Sequence, residues 1–409
     1  MMRSMAFDMN GERVHTLVQM QAFLDGAVAL ELAVAANERY GFIFRTMRRF
    51  GNSRKCRVPG QPAFLFTTIV IAEIYLRKRK PHPFHTSPCA VGAIRSAQCG
   101  NSRRPNGDEC MSKPELVVAP LTPFTADLKI DDAALRRQID YVVGDCGATM
   151  VIAAGVEAQE YTYLGMPERK DLIARTIECV AGRCPVMVGI SHPSFRTAIE
   201  LAHLAHDLGA HAVQMLAPLR PFGGPPTERD LVAYFEAVAK ESPLPMTLYL
   251  NSGPGADVSI PATVAIASID KVRYIKESSR DLSRVSRLIV EVDHAGHARY
   301  FTTMQMLLAT LELGGSGATM PPPGAEIARQ VIDAFVAGDY RRAAQIQLQF
   351  ALFPAKWMHR GLTATMKTAM SLIGLPVGGL YPPYVSLDAA ETQALTDYLK
   401  TTVLAKRMK

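Results

Sequence analysis

The chain has 409 residues, of which 48% are apolar, 20% charged and 7% aromatic, and its formal net charge is +7. That apolar fraction fills a large core and excludes disordered, collagen-like and disulfide-scaffold proteins, while seven cysteines without regular spacing point to reduced thiols and a cytoplasmic location. The charge is uneven: residues 1–110 hold 16 basic and 8 acidic side chains, leaving 29 and 30 for the rest, so the basicity belongs to the leader alone.

Within 1–50, residues 14–36 are rich in apolar side chains and poor in glycine, and read as one or two helices. From 51 to 110, Pro59, Pro62, Pro81, Pro83, Pro88 and Pro105 and the run Arg77-Lys78-Arg79-Lys80 break any period that would bury a face. Residues 1–110 are therefore expected to be a poorly structured leader. The apolar run 62–76 (PAFLFTTIVIAEIYL) has 15 residues and contains Glu73. It is too short and too polar for a span of about 20 residues, and it starts too far into the chain for a secretory signal. The basic run reads as solvated, so neither a membrane nor a nucleic acid is expected as partner. Cys89, Cys99 and Cys110, with His82 and His85, lack the paired close spacing of a zinc site, and no metal is expected. The opening MNGERVHTLVQMQAFLDGAVALELAVAANERYGFIFRTMRRFG weakly resembles the N-terminal part of transposase or integrase reading frames. That resemblance stops near Gly51, and Met111 opens MSKPELVVAPLTPF, so the leader reads as an upstream remnant joined to an enzyme beginning at Met111.

From Met111 onward the pattern alternates. Short apolar runs predict strands at 116–120, 150–154, 186–190, 212–216, 246–250, 272–276, 298–301 and 315–319. Helical periodicity predicts helices that include 131–145, 167–181, 194–208, 227–240 and 324–337, with Pro167 in a first turn and Gly209 and Gly338 as C-terminal stops. Eight such units over 111–338 fit a closed (β/α)8 TIM barrel, a fold of typically about 250 residues. A doubly wound sheet is the alternative, but no Gly-rich phosphate turn follows the first strand. Residues 339–409 form a C-terminal helical extension containing Trp357 and helical stretches at 366–373 and 391–399.

In a barrel of this kind the chemistry sits at the strand C-termini and the loops beyond them. Strand five, PMTLYLN, ends near Tyr249; strand six, VRYIKES, ends at Lys276; the loop after strand two reads AAGVEAQEYTYL. A lysine closing an apolar strand points its amine into the mouth, where desolvation exposes a neutral nucleophile able to form a Schiff base with a ketone. A tyrosine on the neighbouring strand can donate and accept the proton at the carbon whose bond is made or broken. Each residue alone also reads as an ordinary strand end.

Seven segments in order resemble the dihydrodipicolinate synthase and N-acetylneuraminate lyase family across residues 113 to about 400. They are VVAPLTPFTADLKID, the stretch PVMVGISHPSFRTAIELAHLAHDLGAHAVQMLAP spanning two units, LPMTLYLN, VRYIKESSRDL, LGGSGATM and TMKTAMSLIGLPVGGLYPPY. The resemblance implies a class I, cofactor-free aldolase or lyase acting on pyruvate or a related 2-oxo acid, with Lys276 as nucleophile and Tyr249 as acid/base. It also implies a homo-oligomer, tetramer or dimer. It places Gly155, Glu157, Ala158, Gln159, Glu160 and Thr319 around the substrate.

The departures bear on substrate. Where the family usually has Gly-Thr-Thr-Gly-Glu to hold the pyruvate carboxylate, this chain has Gly155-Val156-Glu157-Ala158-Gln159-Glu160; Glu160 matches and both threonines are missing. An anionic Glu157 beside a carboxylate is unfavourable unless it points away or is protonated. No arginine follows the tyrosine in Asn251-Ser252-Gly253-Pro254-Gly255-Ala256, and Pro218-Leu219-Arg220 replaces a Pro-Tyr-Tyr loop, removing a second relay tyrosine. The expectation is a Schiff-base lyase that is not a genuine dihydrodipicolinate synthase. The alternatives are a dehydratase or hydratase-aldolase on a sugar or aromatic 2-oxo acid, and a non-catalytic barrel with a binding role. His203, His206 and His211 read as a helix face running into a strand, Gly314–Gly317 as a close-packed strand, and Cys146, Cys179 and Cys184 as inert. Tyr161, Tyr163 and Arg220 read as pocket or rim residues without an assigned role.

Overall fold

The computed structural model describes residues 113–157, 160–220 and 224–408. The leader, with its expected helix and apolar run, lies outside the described residues, as do the site candidates Ala158 and Gln159. Eight parallel strands close into one barrel in chain order: β1 (Glu115–Val118), β2 (Met150–Ala153), β3 (Val186–Gly189), β4 (Ala212–Leu216), β5 (Met246–Leu250), β6 (Val272–Glu277), β7 (Arg299–Thr302) and β8 (Gly317–Met320). The barrel shuts where β8 pairs with β1, Glu115 opposite Gly317 and Val118 opposite Met320. Only glycine fits at that seam. Gly317 has φ 152°, and a Cβ there would lie 2.1 Å from the Glu115 carbonyl oxygen.

Alternation along the strands sorts the core into two parts. Val117, Ala119, Met150, Ile152, Met187, Ala212 and Phe301 fill the inside of the barrel, with Tyr274 packed against them. The opposite strand faces, including Val118, Val151, Val188, Val213, Leu248 and Ile275, join the larger cluster shared with the helices. The helices of the units are α1 (Asp132–Asp140), α2 (Met166–Val180), α3 (Phe195–Asp207), α4 (Glu228–Glu241), α5 (Ile260–Ala267), α6 (Leu282–Leu288), α7 (Leu307–Glu312) and α8 (Gly324–Val336). Their starts follow from capping chemistry: Asp131, Ser194, Thr227, Ser259 and Asp281 each accept a hydrogen bond from a backbone N–H of the first turn. No helix among the described residues is long and apolar enough to cross a membrane.

Two details differ from the sequence expectation. The helix expected over 131–145 is regular only to Asp140 and then widens into a π turn, Tyr141–Asp145, in which the Cys146 N–H reaches the Tyr141 carbonyl. The wider turn leaves Tyr141 buried with its hydroxyl 2.8 Å from Glu326 on α8. The last strand begins at Gly317 rather than 315, because Gly314 adopts φ 80° and the chain turns before it can pair.

Beyond the barrel, α9 (Tyr340–Gln347), α10 (Leu362–Leu372) and α11 (Ala389–Leu399) form the extension, with Trp357 buried between them in sequence. One buried ion pair ties this tail to the loop after β2: Lys367 on α10 lies 2.5 Å from Glu160, both side chains about 4% exposed or less. Glu160 also accepts the Tyr381 N–H at 2.8 Å, and Lys367 donates to the Gly379 carbonyl at 2.6 Å. Burial pulls the Lys367 ammonium down, with Glu160 opposing that shift. Removing one partner strands the other charge in the core. Lys367→Met is therefore expected to lose about 3–5 kcal/mol in urea unfolding, and the Glu160→Gln/Lys367→Met double variant to recover most of it. Equal losses in the single and double variants would show that the pair does not hold the tail.

Candidate active site

Tyr249 on β5 and Lys276 on β6 are direct register partners. In-register residues of adjacent parallel strands send their side chains to the same face, here the inside of the mouth. Each strand continues the alternation two residues on, with Asn251 after Tyr249 and Ser278 after Lys276. The four converge on one oxygen. Lys276 Nζ donates to Ser278 Oγ at 2.7 Å and reaches Tyr249 Oη at 3.4 Å. Ser278 Oγ donates to Tyr249 Oη at 3.3 Å, and Asn251 Nδ2 donates to it at 3.0 Å. The lysine ammonium also stands 4.4 Å from the centre of the Tyr249 ring.

Lys276 and Tyr249 are buried, at 4% and 2% exposure, yet they line a cavity of about 690 Å³ that opens outward past Glu157, Asn251, Ser278 and Thr319. A narrow chamber of about 10 Å³ lies inward, bounded by Gln214, Thr247, Tyr274 and Phe301; Lys276 and Thr319 border both spaces. Glu277, between Lys276 and Ser278, is neutralised by Arg284 at 2.7 Å, and both also line the cavity. A buried amine beside a phenol, at the floor of an open polar cavity, is an arrangement suited to covalent capture of a carbonyl.

Glu157 enters the same cavity by an unusual backbone route. Ala154, at the end of β2, takes the left-handed conformation (φ 51°). At Gly155 a Cβ would meet Ile152 Cγ2 at 2.7 Å and Glu157 Oε2 at 2.9 Å. The glycine thus makes room for the glutamate carboxyl to fold inward. There Gln214 Nε2 donates to Glu157 Oε1 at 2.6 Å, while Glu157 Oε2 has no hydrogen-bond partner. Burial pushes the Glu157 carboxyl up; the Lys276 charge, a backbone N–H and the Gln214 amide pull against that without reversing it.

Of the expected site residues, the structure brings Lys276, Tyr249, Glu157 and Thr319 together and sets Gly155 beneath Glu157. It turns Glu160 elsewhere, onto Lys367 and Tyr381. Tyr161 is buried with Arg169 stacked 4.2 Å over its ring, Tyr163 stacks on Tyr381 of the tail, and Arg220 pairs with Asp230 at 2.6 Å. His203 and His206 lie exposed on α3, and His211 Nδ1 accepts the Val186 N–H. Burial pushes the Cys146 thiol up to about 12, and the Cys179 and Cys184 thiols upward as well, so all three are poor nucleophiles. Ser278 and Gln214 were not singled out from sequence. Ser278 was open to inference from the two-residue alternation after Lys276, and Gln214 as the lone polar residue in the apolar strand AVQML.

Comparison with known proteins gives the family and its relatives. A family model described as the dihydrodipicolinate synthetase family matches residues 113–402. Curated relatives include 4-hydroxy-tetrahydrodipicolinate synthase of Moorella thermoacetica, 28% identical over 71% of this chain and 98% of the relative. Another is 4-hydroxy-tetrahydrodipicolinate synthase 2 of Streptomyces coelicolor, 31% identical over 68% of this chain and 92% of the relative. Among solved structures, a prophage protein of the dihydrodipicolinic acid synthase family from E. coli K12, in complex with pyruvate, superposes with a TM-score of 0.64. It is 26% identical and the match covers 70% of this chain and 97% of that one.

The buried Glu157 carboxyl makes stability depend on pH. Its folded pKa lies above its unfolded one, so the unfolded chain gives up this proton first. The contribution is fully present below the ordinary carboxylate range and is lost as pH rises through the folded pKa. Urea unfolding across a pH series should show the wild type losing ground to Glu157→Gln over that window and running parallel to it above. Parallel curves throughout would contradict a raised carboxyl.

Proposed function

We propose, for a chain that belongs to the dihydrodipicolinate synthetase family, that the substrate is pyruvate or a related 2-oxo acid captured on Lys276. Members of the family are class I carbon–carbon lyases that work through a Schiff-base lysine, and this chain is an enzyme of that type. The observation that carries the residue assignment is the register pair Tyr249–Lys276 at the floor of the open cavity. In its unprotonated form the Lys276 amine attacks the carbonyl carbon, forming a C–N bond. The oxygen becomes the hydroxyl of a carbinolamine, takes up one proton from solvent in the open cavity and leaves as water, while the nitrogen keeps its remaining proton and becomes the protonated imine. The protonated imine then draws electrons from the adjacent carbon, and a C–C bond forms or breaks there. Tyr249 moves the proton at that step, with Ser278 and Asn251 holding its oxygen in place.

The chain lacks an arginine after Tyr249 and a second tyrosine in the loop after β4, and its activity is read as that of a family lyase distinct from dihydrodipicolinate synthase. A second reading, a dehydratase or hydratase-aldolase on a longer sugar acid, is favoured by one observation. The cavity is far larger than pyruvate, and Ser252, Ser279, Thr303 and Thr363 add hydroxyl groups to its walls. Both readings use the same imine.

Borohydride reduction in the presence of pyruvate or a longer 2-oxo acid should leave a stable adduct that peptide mapping places on Lys276. Lys276→Ala should give none. Tyr249→Phe should still be trapped but turn over about 10²–10⁴ times more slowly. An adduct on another lysine, or none with any 2-oxo acid, would defeat the assignment.

A further inference from the structure

The cavity carries a cation that the imine chemistry above does not use. Lys276 lies buried at the floor, and Arg280, four residues further on, is exposed; both line the same space of about 690 Å³. Arg284 lines it too, but its guanidinium is taken by Glu277 at 2.7 Å. Arg280 has no carboxylate within ion-pair distance among the described residues, and Asp257, an exposed acid lining the same cavity, pairs with neither arginine. The partner of Arg280 is neutral: its Nε donates to Gln305 Oε1 at 3.1 Å, from the short turn Met304–Met306 that follows β7. With Nε engaged, Nη1 and Nη2 remain as a planar pair of donors whose spacing matches two oxygens of a carboxylate or phosphate. An exposed arginine needs no partner in water; what marks this one is its place. A ligand joined to Lys276 can extend only outward, because the inward chamber of about 10 Å³ has room for little more than one water. The outward path runs along the cavity that Ser278, Ser279, Thr303 and Arg280 line.

We propose that Arg280 is a specificity-determining residue, and that the substrate is a 2-oxo acid whose far end carries a second anionic group, a carboxylate or a phosphate, received by the Nη pair of Arg280. The proposal rests on the imine reading and adds the chemical class of the substrate tail to it. Pyruvate occupies only the floor, whereas a cavity of this size accommodates a considerably longer ligand. The hydroxyls of Ser279 and Thr303 suit a polar chain between the two ends. An uncharged tail leaves the guanidinium to water and gains nothing from it; an anionic tail exchanges that water for a charge-assisted, two-point contact. Because Arg280 is exposed, solvent and salt weaken the contact, and the selectivity it confers is about tenfold at low ionic strength.

The test compares rates of borohydride trapping at Lys276, in the full chain, for pyruvate and for a set of longer 2-oxo acids of equal chain length. The set is 2-oxohexanoate, which ends in a methyl group, 2-oxoadipate, which ends in a carboxylate, and 2-oxo-5-phosphonopentanoate, which ends in a phosphonate. At low ionic strength at least one anionic tail should be captured about tenfold faster than the methyl tail. Preference for the carboxylate identifies a dicarboxylic substrate, and preference for the phosphonate a phosphate ester. Arg280→Gln should abolish the preference, and Arg280→Lys should keep part of it, because the charge stays and the two-pronged fork is lost. Using the ratio of rates removes any effect of the variants on the amine itself. Absence of the preference in the wild type overturns the proposal, and so does a preference that survives in Arg280→Gln. Capture of pyruvate but of none of the longer compounds overturns it as well, while leaving the imine reading in place. No adduct with any compound, pyruvate included, overturns the imine reading and the role of Arg280 with it.

Discussion

The pairing of β5 with β6 in register at Tyr249 and Lys276 is the constraint on which the site depends. A shift of one residue would send the lysine outward among the helices and leave the tyrosine facing an empty position. The register is held from both sides, because closure of the barrel at the glycine seam of β8 and β1 leaves no free strand edge to slip. Once it is set, the alternation of each strand delivers Asn251 and Ser278 to the same phenolic oxygen. Four side chains from two strands thus need no flexible loop to find one another. Rigid elements of this kind keep donors within hydrogen-bond distance at little entropic cost.

Two of the buried carboxylates near the mouth are paired. Glu277 is neutralised by Arg284, and Glu160 by Lys367. Lys276, Tyr249 and Glu157 are buried ionisable groups that line the cavity and have no ion-pair partner among the described residues. The tail has a part in this. By holding Glu160, α10 fixes one end of the loop after β2, while the left-handed Ala154 and the bare Gly155 fix the other. The loop residue between those anchors, Glu157, is thereby presented to the cavity.

Much of the barrel was legible in the sequence because its signals are local. Apolar runs of four or five residues, capping side chains such as Asp131, Ser194 and Thr227, and stop glycines such as Gly209 marked most elements to within two residues. Lys276 and Tyr249 were legible because a polar residue at the end of an apolar barrel strand has few other uses. The role of Glu160 was not: its sequence position suggests substrate contact, but Lys367, more than two hundred residues later, claims its carboxylate. The π turn at Tyr141 and the partner of Glu157 escaped for the same reason. Tyr141 answers to Glu326 and Glu157 to Gln214, and long-range polar contacts leave no periodic trace in a chain.

The central claim is that Lys276, set against Tyr249 by strand register, is the covalent anchor for a 2-oxo acid. A crystal structure of the protein soaked with pyruvate tests it most directly. The account requires continuous electron density from Lys276 Nζ to the C2 carbon of pyruvate, with Tyr249 Oη within hydrogen-bond distance of the adduct. Pyruvate bound non-covalently elsewhere, with Lys276 still donating to Ser278 and Tyr249 alone, would contradict it.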